Sequence, residues 1–489
     1  MVGGFCLLAA LRVGIFSAAF PFFADVDEQH HFDNICRYSH GEIPQGLQPY
    51  SPEAAALIAF YGTPEYLVDP QNTRAKRLAP PLWTCPDEVR TKIFTWMKNG
   101  YLQHVNHETV QPPFYYAVMG AWYDLGKLLG MEGGQLLYWV RFFNVPVYAL
   151  LVWLSYVLTK DLFPASKFLY LGVPLLLVVL PQDVFYSLNN DVFSAPLVTL
   201  SLCLLVRMYR IDAARPGLAI CAGLTAAAAV LTKFMNAPIL VMVGVAAFLK
   251  LGLPWWRKQP LTHLVPVALL LAASIIPIAC WLARNYFVLG ELTGFALRNH
   301  FMTWTPKPFA EYWNHPIFTP HGFFLCFWGK LLGTFWQGEF SWHGARLAAG
   351  NMDVFYAVSS LLFLVVFFAG NVVRRGGANA ETHLTAMLCS LMFAMSVAML
   401  ILFSISVDFG ACNYPSREQP YITSGRLMLA ALVPFLIMYL GGLEWLLDRL
   451  RMGFARLPAL CILVGLMTIS QIAYTAEVFA SRYNWFHLP

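Results

Sequence analysis

The sequence predicts an all-α polytopic membrane protein, and three observations support this fold class. Of the 489 residues, 58% are hydrophobic and 15% aromatic, and the mean hydropathy is +0.56. Only 12% are charged, about half of the roughly 25% that a soluble domain carries. Apolar runs of roughly 20 residues, the length that crosses ~30 Å of hydrocarbon as a helix, recur along most of the chain. We therefore expect a single membrane domain over residues 1–489.

Hydropathy predicts eleven membrane spans. The first, residues 2–24, lacks a basic amino-terminal region and is long for a signal peptide, so we expect it to remain as a helix. The segment 114–129 is short, follows Gln111-Pro112-Pro113 and contains Asp124 and Lys127, so we expect it to lie at the membrane interface. The predicted spans are 2–24, 136–159, 167–184, 191–206, 217–232, 236–251, 262–283, 352–373, 383–407, 427–447 and 457–477.

The charges of the short loops predict which side of the membrane each loop faces. If residues 114–129 do not span, one set of short loops holds thirteen basic and four acidic residues, whereas the opposite set holds only Lys233, Arg417 and Arg426 as basic residues. Because basic loops remain in the cytoplasm, the amino terminus is expected inside and the carboxyl terminus outside. The large loops 25–135 and 284–351 would then face the periplasm, or extracytoplasmic space, from the cell (inner) membrane.

Both large loops are expected to be folded. The first holds thirteen acidic and eight basic residues, and its proline-bounded stretch 86–102 predicts a helix on the membrane surface. Cys36 and Cys85 lie in this loop and are a candidate disulfide in an oxidising compartment. The second loop is rich in tryptophan, which anchors proteins at the interface, with stacking on a sugar face as the alternative. Its tryptophans are Trp304, Trp313, Trp328, Trp336 and Trp342.

Charged residues gather where the predicted spans reach this outer surface. The stretch DEQHHF at 27–32 follows the first span directly, between Asp25 and Asp33, although desolvating carboxylates is costly. Asp191, in YSLNND, lies in the turn before the fourth span, where capping of a helix is the alternative role. Basic residues at the same level are Lys233, Arg284 and Arg426, each of which alone would be explained by snorkelling.

These groups suit chemistry on a phosphate at the boundary between lipid and water. A carboxylate accepts a proton from a hydroxyl or holds a divalent cation, and ammonium and guanidinium groups bind phosphate. His104 and His107 are three residues apart, but neither a third ligand nor an H-E-x-x-H motif accompanies them. The absence of a basic patch with stacking aromatics argues against a nucleic-acid partner.

The motifs of this chain resemble, in order, those of an uncharacterised branch of membrane proteins related to the GT-C glycosyltransferases. The wider superfamily includes the protein O-mannosyltransferases and the aminoarabinose transferase of lipid A, so the resemblance implies a GT-C-like fold with juxtamembrane helices in the outer loops. Gln111 stands where that family has the histidine of His-Pro-Pro-Leu, and we assign it no catalytic role. The similar stretches are D-E-x-x-H-F at 27–32, QPPFYY at 111–116, LNND at 188–191, LTK at 231–233, RNYFVLGELTG at 284–294 and SGRLMLAALVP at 424–434.

The resemblance implies a hexosyl or pentosyl transferase that uses a polyprenyl-phosphate sugar. Asp27 takes the role of catalytic carboxylate, Glu28 that of its partner, and His31 orients Asp27 through a hydrogen bond, whereas neighbouring His30 has no assigned role. Asp191 faces the site or, with Asp27, holds a divalent cation such as Mg²⁺ or Mn²⁺, which similar enzymes do not all need.

The reaction implied is a single inverting displacement. A hydroxyl of a glycan, lipid or protein acceptor attacks the sugar and displaces the carrier phosphate, which Lys233, Arg284 and Arg426 are expected to hold in the bilayer.

Two other functions remain open at this stage. A transporter or flippase of lipid-linked glycans tends to carry internal repeats and polar residues near the bilayer midplane, and neither is evident in this chain. An assembly partner that kept the fold and lost activity is the second alternative, against which Asp27 and Glu28 argue only in part.

Overall fold

The computed structural model describes the backbone of residues 1–24, 27–65, 79–211, 215–258, 260–373, 380–412 and 414–489, and the side chains of all of these except 371–373 and 380–385. Several charged residues counted from the sequence lie outside these ranges, namely Asp25, Asp69, Arg74, Lys76, Arg77, Asp212, Arg374 and Arg375, together with the side chain of Glu381.

Helices dominate the described part of the chain. Nine helical segments there are long and apolar enough to cross a membrane, and two further apolar helices are shorter. These eleven coincide in position with the eleven predicted spans, which confirms an all-α polytopic membrane protein. The helices are α1 (Val2–Ala19), α2 (Glu28–Ser39), α3 (Pro52–Tyr61), α4 (Asp87–Gln103), α5 (Phe114–Leu128), α6 (Gly133–Phe142), α7 (Asn144–Leu162), α8 (Lys167–Val178), α9 (Ser194–Arg210), α10 (Pro216–Thr232), α11 (Pro238–Ala247), α12 (Leu253–Trp256), α13 (Leu264–Leu289), α14 (Phe295–Phe301), α15 (Lys330–Gln337), α16 (Gly350–Val373), α17 (Ala380–Ser406), α18 (Leu432–Arg449) and α19 (Arg456–Phe479).

The large loops are folded, as the sequence predicts. The surface helix expected at 86–102 is α4, none of whose residues is buried. Helix α5 has 15 residues and is not among the candidate spans. Among the described residues, the strands form three short antiparallel pairs. β1 (Gln48–Pro49) pairs with β2 (Val105–Asn106) across the first loop, and β4 (Ser341–Trp342) pairs with β5 (Ala345–Arg346) in a hairpin of the second loop. β3 (Thr305–Pro306) of the second loop pairs with β6 (Val407–Asp408), which directly follows α17.

The candidate disulfide between Cys36 and Cys85 is not formed. Both cysteines are free, and Cys36 is buried in the core. The Cys85 thiol instead lies 3.6 Å from the carbonyl oxygen of Pro81. The two loop segments that carry these cysteines are therefore held in place by packing.

Helix α18 lies at the centre of the bundle. The candidate span Gly425–Arg449, which includes α18, has 83% of its most apolar stretch buried, the highest share among the described candidate spans. A helix that is apolar on all sides favours such a central position. It begins with a 3₁₀ turn, Gly425–Ala431, and a Cβ on Gly425 would lie 2.1 Å from the backbone nitrogen of Phe335. Only glycine permits this close approach of the two backbones. The approach places the next residue, Arg426, against Asp27 of the first large loop and Glu339 of the second.

Candidate active site

A cavity of about 280 Å³ lies where the first large loop, the segment around α14 and the turn before α18 meet. One part of its wall is apolar and includes Phe234, Phe295, Met302, Phe403 and Leu427. The other part is polar and charged, and includes Asp27, His31, His107, Glu108, Lys233, Arg298, Glu339 and Arg426. The cavity therefore combines an apolar wall with a dense set of charges.

Asp27 reaches the cavity from the turn between α1 and α2. Its backbone has a φ of 64°, which is uncommon for a residue other than glycine, and its carbonyl begins α2 by accepting from the amide of His31. Burial alone would raise the pKa of Asp27, but the nearby ring of His107 and the charge of Arg426 hold that pKa well below its usual value. Asp27 is thus an ionised carboxylate at neutral pH.

Arg426 connects three carboxylates around the cavity. Its Nη2 donates to Oδ2 of Asp27 at 2.7 Å, and its Nε lies 3.3 Å from Oε2 of Glu339. Its Nη1 lies 3.8 Å from Oδ2 of Asp191, beyond hydrogen-bond distance. The sequence places Asp27 and Arg426 on the same surface, and the two side chains are in contact.

Asp191 lies behind Arg426. Its carboxylate is 1% exposed and accepts from Nζ of Lys233 at 2.6 Å. The Asn189 side chain accepts from the Asp191 amide and so fixes the turn of the LNND motif. The guanidinium of Arg426 is near the carboxylates of both Asp27 and Asp191, the pair for which the sequence resemblance implies a divalent cation.

Glu28 is fully buried and its described contacts are structural. Its Oε1 accepts from Nη2 of Arg141 at 2.6 Å and from the amide of Leu188 at 2.9 Å, and its Oε2 accepts from the amide of Phe23 at 2.8 Å. Glu28 is not part of the cavity wall. It therefore fixes the start of α2, directly after Asp27.

His31 lines the cavity, but its hydrogen bond differs from the predicted one. Its Nδ1 lies 2.8 Å from the hydroxyl of Tyr116 and not against Asp27. Burial lowers the pKa of His31 to about 3, so the ring is neutral.

Arg284 lies away from the other predicted cations. It belongs to the last turns of α13, where its Nη2 donates to the carbonyl of Pro44 at 2.6 Å and its guanidinium lies 5.1 Å from the ring centre of Trp281. It is absent from the described wall of the cavity. The sequence predicts that Arg284 lies at the end of a span, but it does not predict the rotation of the helix about its axis, which decides where the side chain points.

A second group of charges in the cavity was not anticipated from the sequence. Oε1 of Glu108 lies 2.6 Å from Nη2 of Arg298 and 3.4 Å from Nε2 of His107, and Oε2 accepts from Gln111 at 2.5 Å. Burial would lower the pKa of His107, but the neighbouring carboxylates of Asp27 and Glu108 raise it to about 9. These contacts join α14 to the first large loop, and no local sequence motif signals such long-range pairing.

Three side chains at this end of the cavity form a group with metal-ligand chemistry. One ligand atom from each of Asp27, His30 and His107 lies within 4.8 Å of the others. The rings of His30 and His107 are 4.2 Å apart, centre to centre. His30 was assigned no role from the sequence, and His107 was considered only with His104.

The buried polar atoms of the cavity wall that lack a partner share one property. They are Nη1 of Arg426, Nε of Arg298 and Nε1 of Trp304, and each has no hydrogen-bond acceptor among the described residues. All three are N–H donors. Because leaving a buried donor unpaired is costly, the cavity is suited to a ligand that offers several acceptor oxygens.

The sequence profile of a family described as predicted membrane protein (DUF2142) matches residues 11–414. No curated protein matches the sequence. Among solved structures, the Archaeoglobus fulgidus oligosaccharyltransferase in complex with Zn and sulfate is 12% identical, with 95% of this chain and 53% of that chain covered and a TM-score of 0.39. ArnT from Cupriavidus metallidurans bound to undecaprenyl phosphate is 14% identical, with 97% and 78% covered and a TM-score of 0.33.

A third matched structure is the A. fulgidus oligosaccharyltransferase AglB in complex with an inhibitory peptide and a dolichol-phosphate, at 13% identity, 98% and 56% coverage and a TM-score of 0.40. The chain thus spans about half the length of the oligosaccharyltransferases it matches. All three TM-scores lie below 0.5.

Proposed function

This chain belongs to the DUF2142 family of predicted membrane proteins, and we propose that it is a glycosyltransferase that moves a sugar from a polyprenyl-phosphate carrier to an acceptor hydroxyl. One observation carries the proposal. The ionised carboxylate of Asp27 shares a cavity with three buried N–H donors that have no described acceptor. A carboxylate suits a hydroxyl nucleophile, and the donors suit a phosphate and the oxygens of a sugar.

The polar groups of the cavity provide separate sites for the phosphate and for the sugar of the donor molecule. Arg426 and Lys233, on the side of Asp191, are the candidates for the carrier phosphate. Arg298, which contacts Glu108, and Trp304, which also lines the cavity, are the candidates for the oxygens of the sugar. Arg284 lies outside the described cavity wall, and we leave it out of the phosphate site.

The apolar wall supports a lipid-linked donor. Phe234, Phe295 and Phe403 stand on this wall together with Met302 and Leu427. The first isoprenoid units of a carrier would bury apolar surface against these side chains, which is favourable at about 25 cal/mol per Å². A water-soluble sugar nucleotide would leave the same wall exposed.

In the proposed reaction, the acceptor oxygen forms a bond to the anomeric carbon while the bond from that carbon to the phosphate oxygen breaks. The acceptor hydroxyl donates a hydrogen bond to Asp27 and becomes acidic as the new bond forms, so that its proton passes to the carboxylate late in the step. The negative charge that develops on the phosphate is stabilised by Arg426 and Lys233. A single displacement inverts the anomeric centre, and the second product is the polyprenyl phosphate.

The acceptor belongs, by this proposal, to the extracytoplasmic side of the cell membrane and is a glycan, a lipid or a protein. The excess of basic residues in the opposite short loops supports that orientation.

The proposal is tested with the full-length protein in liposomes. Undecaprenyl phosphate carrying radiolabelled mannose, glucose, galactose or arabinose is supplied with a membrane extract as the source of acceptors. We expect label to leave the carrier for one of these sugars, and the Asp27→Asn protein to release none. Absence of transfer from every donor overturns the proposal. Protein-dependent movement of an intact fluorescent lipid-linked sugar between leaflets would instead identify the transporter that the sequence left open.

A further inference from the structure

The side chains of Asp27, His30 and His107 converge at the edge of the cavity. Their ligand atoms lie within 4.8 Å of one another, and Nε2 of His107 is 3.7 Å from Oδ1 of Asp27. The other oxygen of Asp27 accepts from Arg426. One carboxylate oxygen and two imidazole rings therefore face a common point, next to open space in the cavity.

The ring of His30 is held by a second contact. The hydroxyl of Tyr50 lies 2.6 Å from its Nδ1, which leaves Nε2 as the nitrogen available to a ligand. Metal-bound histidines almost always use the second ring nitrogen for such an outer hydrogen bond, which fixes the orientation of the ring. This contact is a feature of a preorganised metal ligand.

The charges around the cavity also favour a cation. Among the described residues, four carboxylates and three cations lie around the cavity, and charged acceptors are therefore close to the three converging side chains. The carboxylates are Asp27, Glu108, Asp191 and Glu339, and the cations are Lys233, Arg298 and Arg426.

We propose that the chain binds a divalent transition-metal ion through Asp27, His30 and His107, with at least one coordination position open to the cavity. Two imidazoles and one carboxylate are ligands for Zn²⁺, Co²⁺ or Mn²⁺, whereas Mg²⁺ prefers oxygen ligands alone. The site differs from the pair Asp27 and Asp191 considered from the sequence, because Asp191 is engaged by Lys233. The open position faces the space where a phosphate or a hydroxyl would bind.

The test uses the full-length protein in detergent after treatment with a chelator. Co²⁺ serves as the probe, because its absorption in the visible range reports nitrogen and oxygen ligands, and the metal content of the dialysed protein is measured by mass spectrometry. We expect a single Co²⁺ per chain, displaced by Zn²⁺ and unaffected by excess Mg²⁺. His30→Ala and His107→Gln each remove a ligand and should abolish the absorption band.

Three further proteins separate a metal site from a general loss of structure. His104→Ala is the matched control, because His104 is exposed and its ring lies 6.3 Å from that of His30 but outside the ligand group. It should bind Co²⁺ like the parent. Tyr50→Phe keeps all three ligands and should weaken binding about 10- to 100-fold. The double variant His30→Asn, His107→Gln should remain folded, as its helix content by circular dichroism will show, and bind no Co²⁺.

A parent protein without a Co²⁺ band, or a band that survives in the double variant, overturns the inference. The measurement needs no donor lipid. Binding of Co²⁺ without sugar transfer would therefore count against the proposed function alone, and transfer by protein that binds no metal would count against the metal site alone.

Discussion

Nη2 of Arg426 lies 2.7 Å from Oδ2 of Asp27, although 399 positions separate the two residues in the sequence. The contact joins the turn after α1 to the turn before α18 at one end of the bundle. The side chain of Asp27 is 18% exposed and that of Arg426 is 13% exposed. Loss of one partner leaves the other largely buried without its counter-charge, which strongly destabilises the folded protein. The first large loop and the central helix are thus coupled at the proposed reaction site.

Replacing Asp27 by Asn should remove transferase activity. The amide keeps the size of the side chain but cannot take up a proton, so we expect the rate of sugar transfer to fall about 10²- to 10⁴-fold. Transfer of label from undecaprenyl-phosphate sugar measures this. Asp408→Asn is the control, since Asp408 pairs with the exposed Arg417 away from the cavity. Equal loss of activity in both variants would contradict the role of Asp27.

Substitution of Arg426 and substitution of Arg284 should affect the binding of undecaprenyl phosphate differently. Arg426→Lys keeps the charge but loses the planar fork that contacts Asp27 and Glu339, so binding of undecaprenyl phosphate should weaken about tenfold or more. Arg284→Lys should leave binding unchanged, because Arg284 donates to the Pro44 carbonyl. Native mass spectrometry with undecaprenyl phosphate gives both affinities. The reverse order would place the phosphate near Arg284.

Trp304→Phe should have opposite effects on stability and on binding. The substitution removes a buried N–H that has no described partner, so the ligand-free protein should gain up to about 1–3 kcal/mol in free energy of unfolding. Binding of the sugar donor should weaken about threefold to tenfold, because one hydrogen bond is lost.

Trp342→Phe provides the control for this pair of effects. Its Nε1 is also buried and unpaired, but the residue does not line the cavity. It should show the gain in stability without any change in affinity for the donor.

Glu28→Gln should act on folding more than on chemistry. Glu28 and Arg141 are each 1% exposed, and removal of one charge leaves the other buried without its partner, at a cost of about 3–5 kcal/mol in free energy of unfolding. Thermal unfolding in detergent measures this loss. Asp161→Asn, which breaks the partly exposed pair with Arg207, should cost at most about 1 kcal/mol. A fully stable but inactive Glu28→Gln protein would instead support a catalytic role for Glu28.

Glu65 should make stability fall as the pH rises. Burial raises its pKa above 4.5 despite the hydrogen bond from Ser481 and the nearby charges of His343 and Arg482. The folded protein therefore retains this proton at pH values where the unfolded chain has lost it, so stability is lost as the pH rises through the folded pKa. Glu65→Gln should flatten the dependence of unfolding temperature on pH and raise that temperature at neutral pH. An unchanged profile would exclude Glu65 as its source.

Much of the fold follows from the sequence because apolar runs fix where the helices are. The same runs place Asp27, Asp191, Lys233 and Arg426 at the ends of spans, and the structure brings these four together. The hydrophobic pattern does not report the rotation of a helix about its axis, which is why Arg284 was predicted at the site but points elsewhere.

Other parts of the candidate site depend on contacts between distant segments. His107 and Glu108 follow β2, whose pairing with β1 is not visible in local periodicity, and Arg298 lies on a short helix within a loop. The ion pair between Glu28 and Arg141 could have been anticipated from the sequence. Arg141 lies inside a predicted span, and an arginine in such a position needs a buried counter-charge.

The volume of the cavity bears on the length of the product. At about 280 Å³, it is at the small end of ligand pockets, which range from about 300 to 1,000 Å³. Under the proposed chemistry, a space of this size suits one monosaccharide with its phosphate. Each turnover would therefore add a single unit, and a longer chain would grow stepwise, with release of the spent carrier between additions.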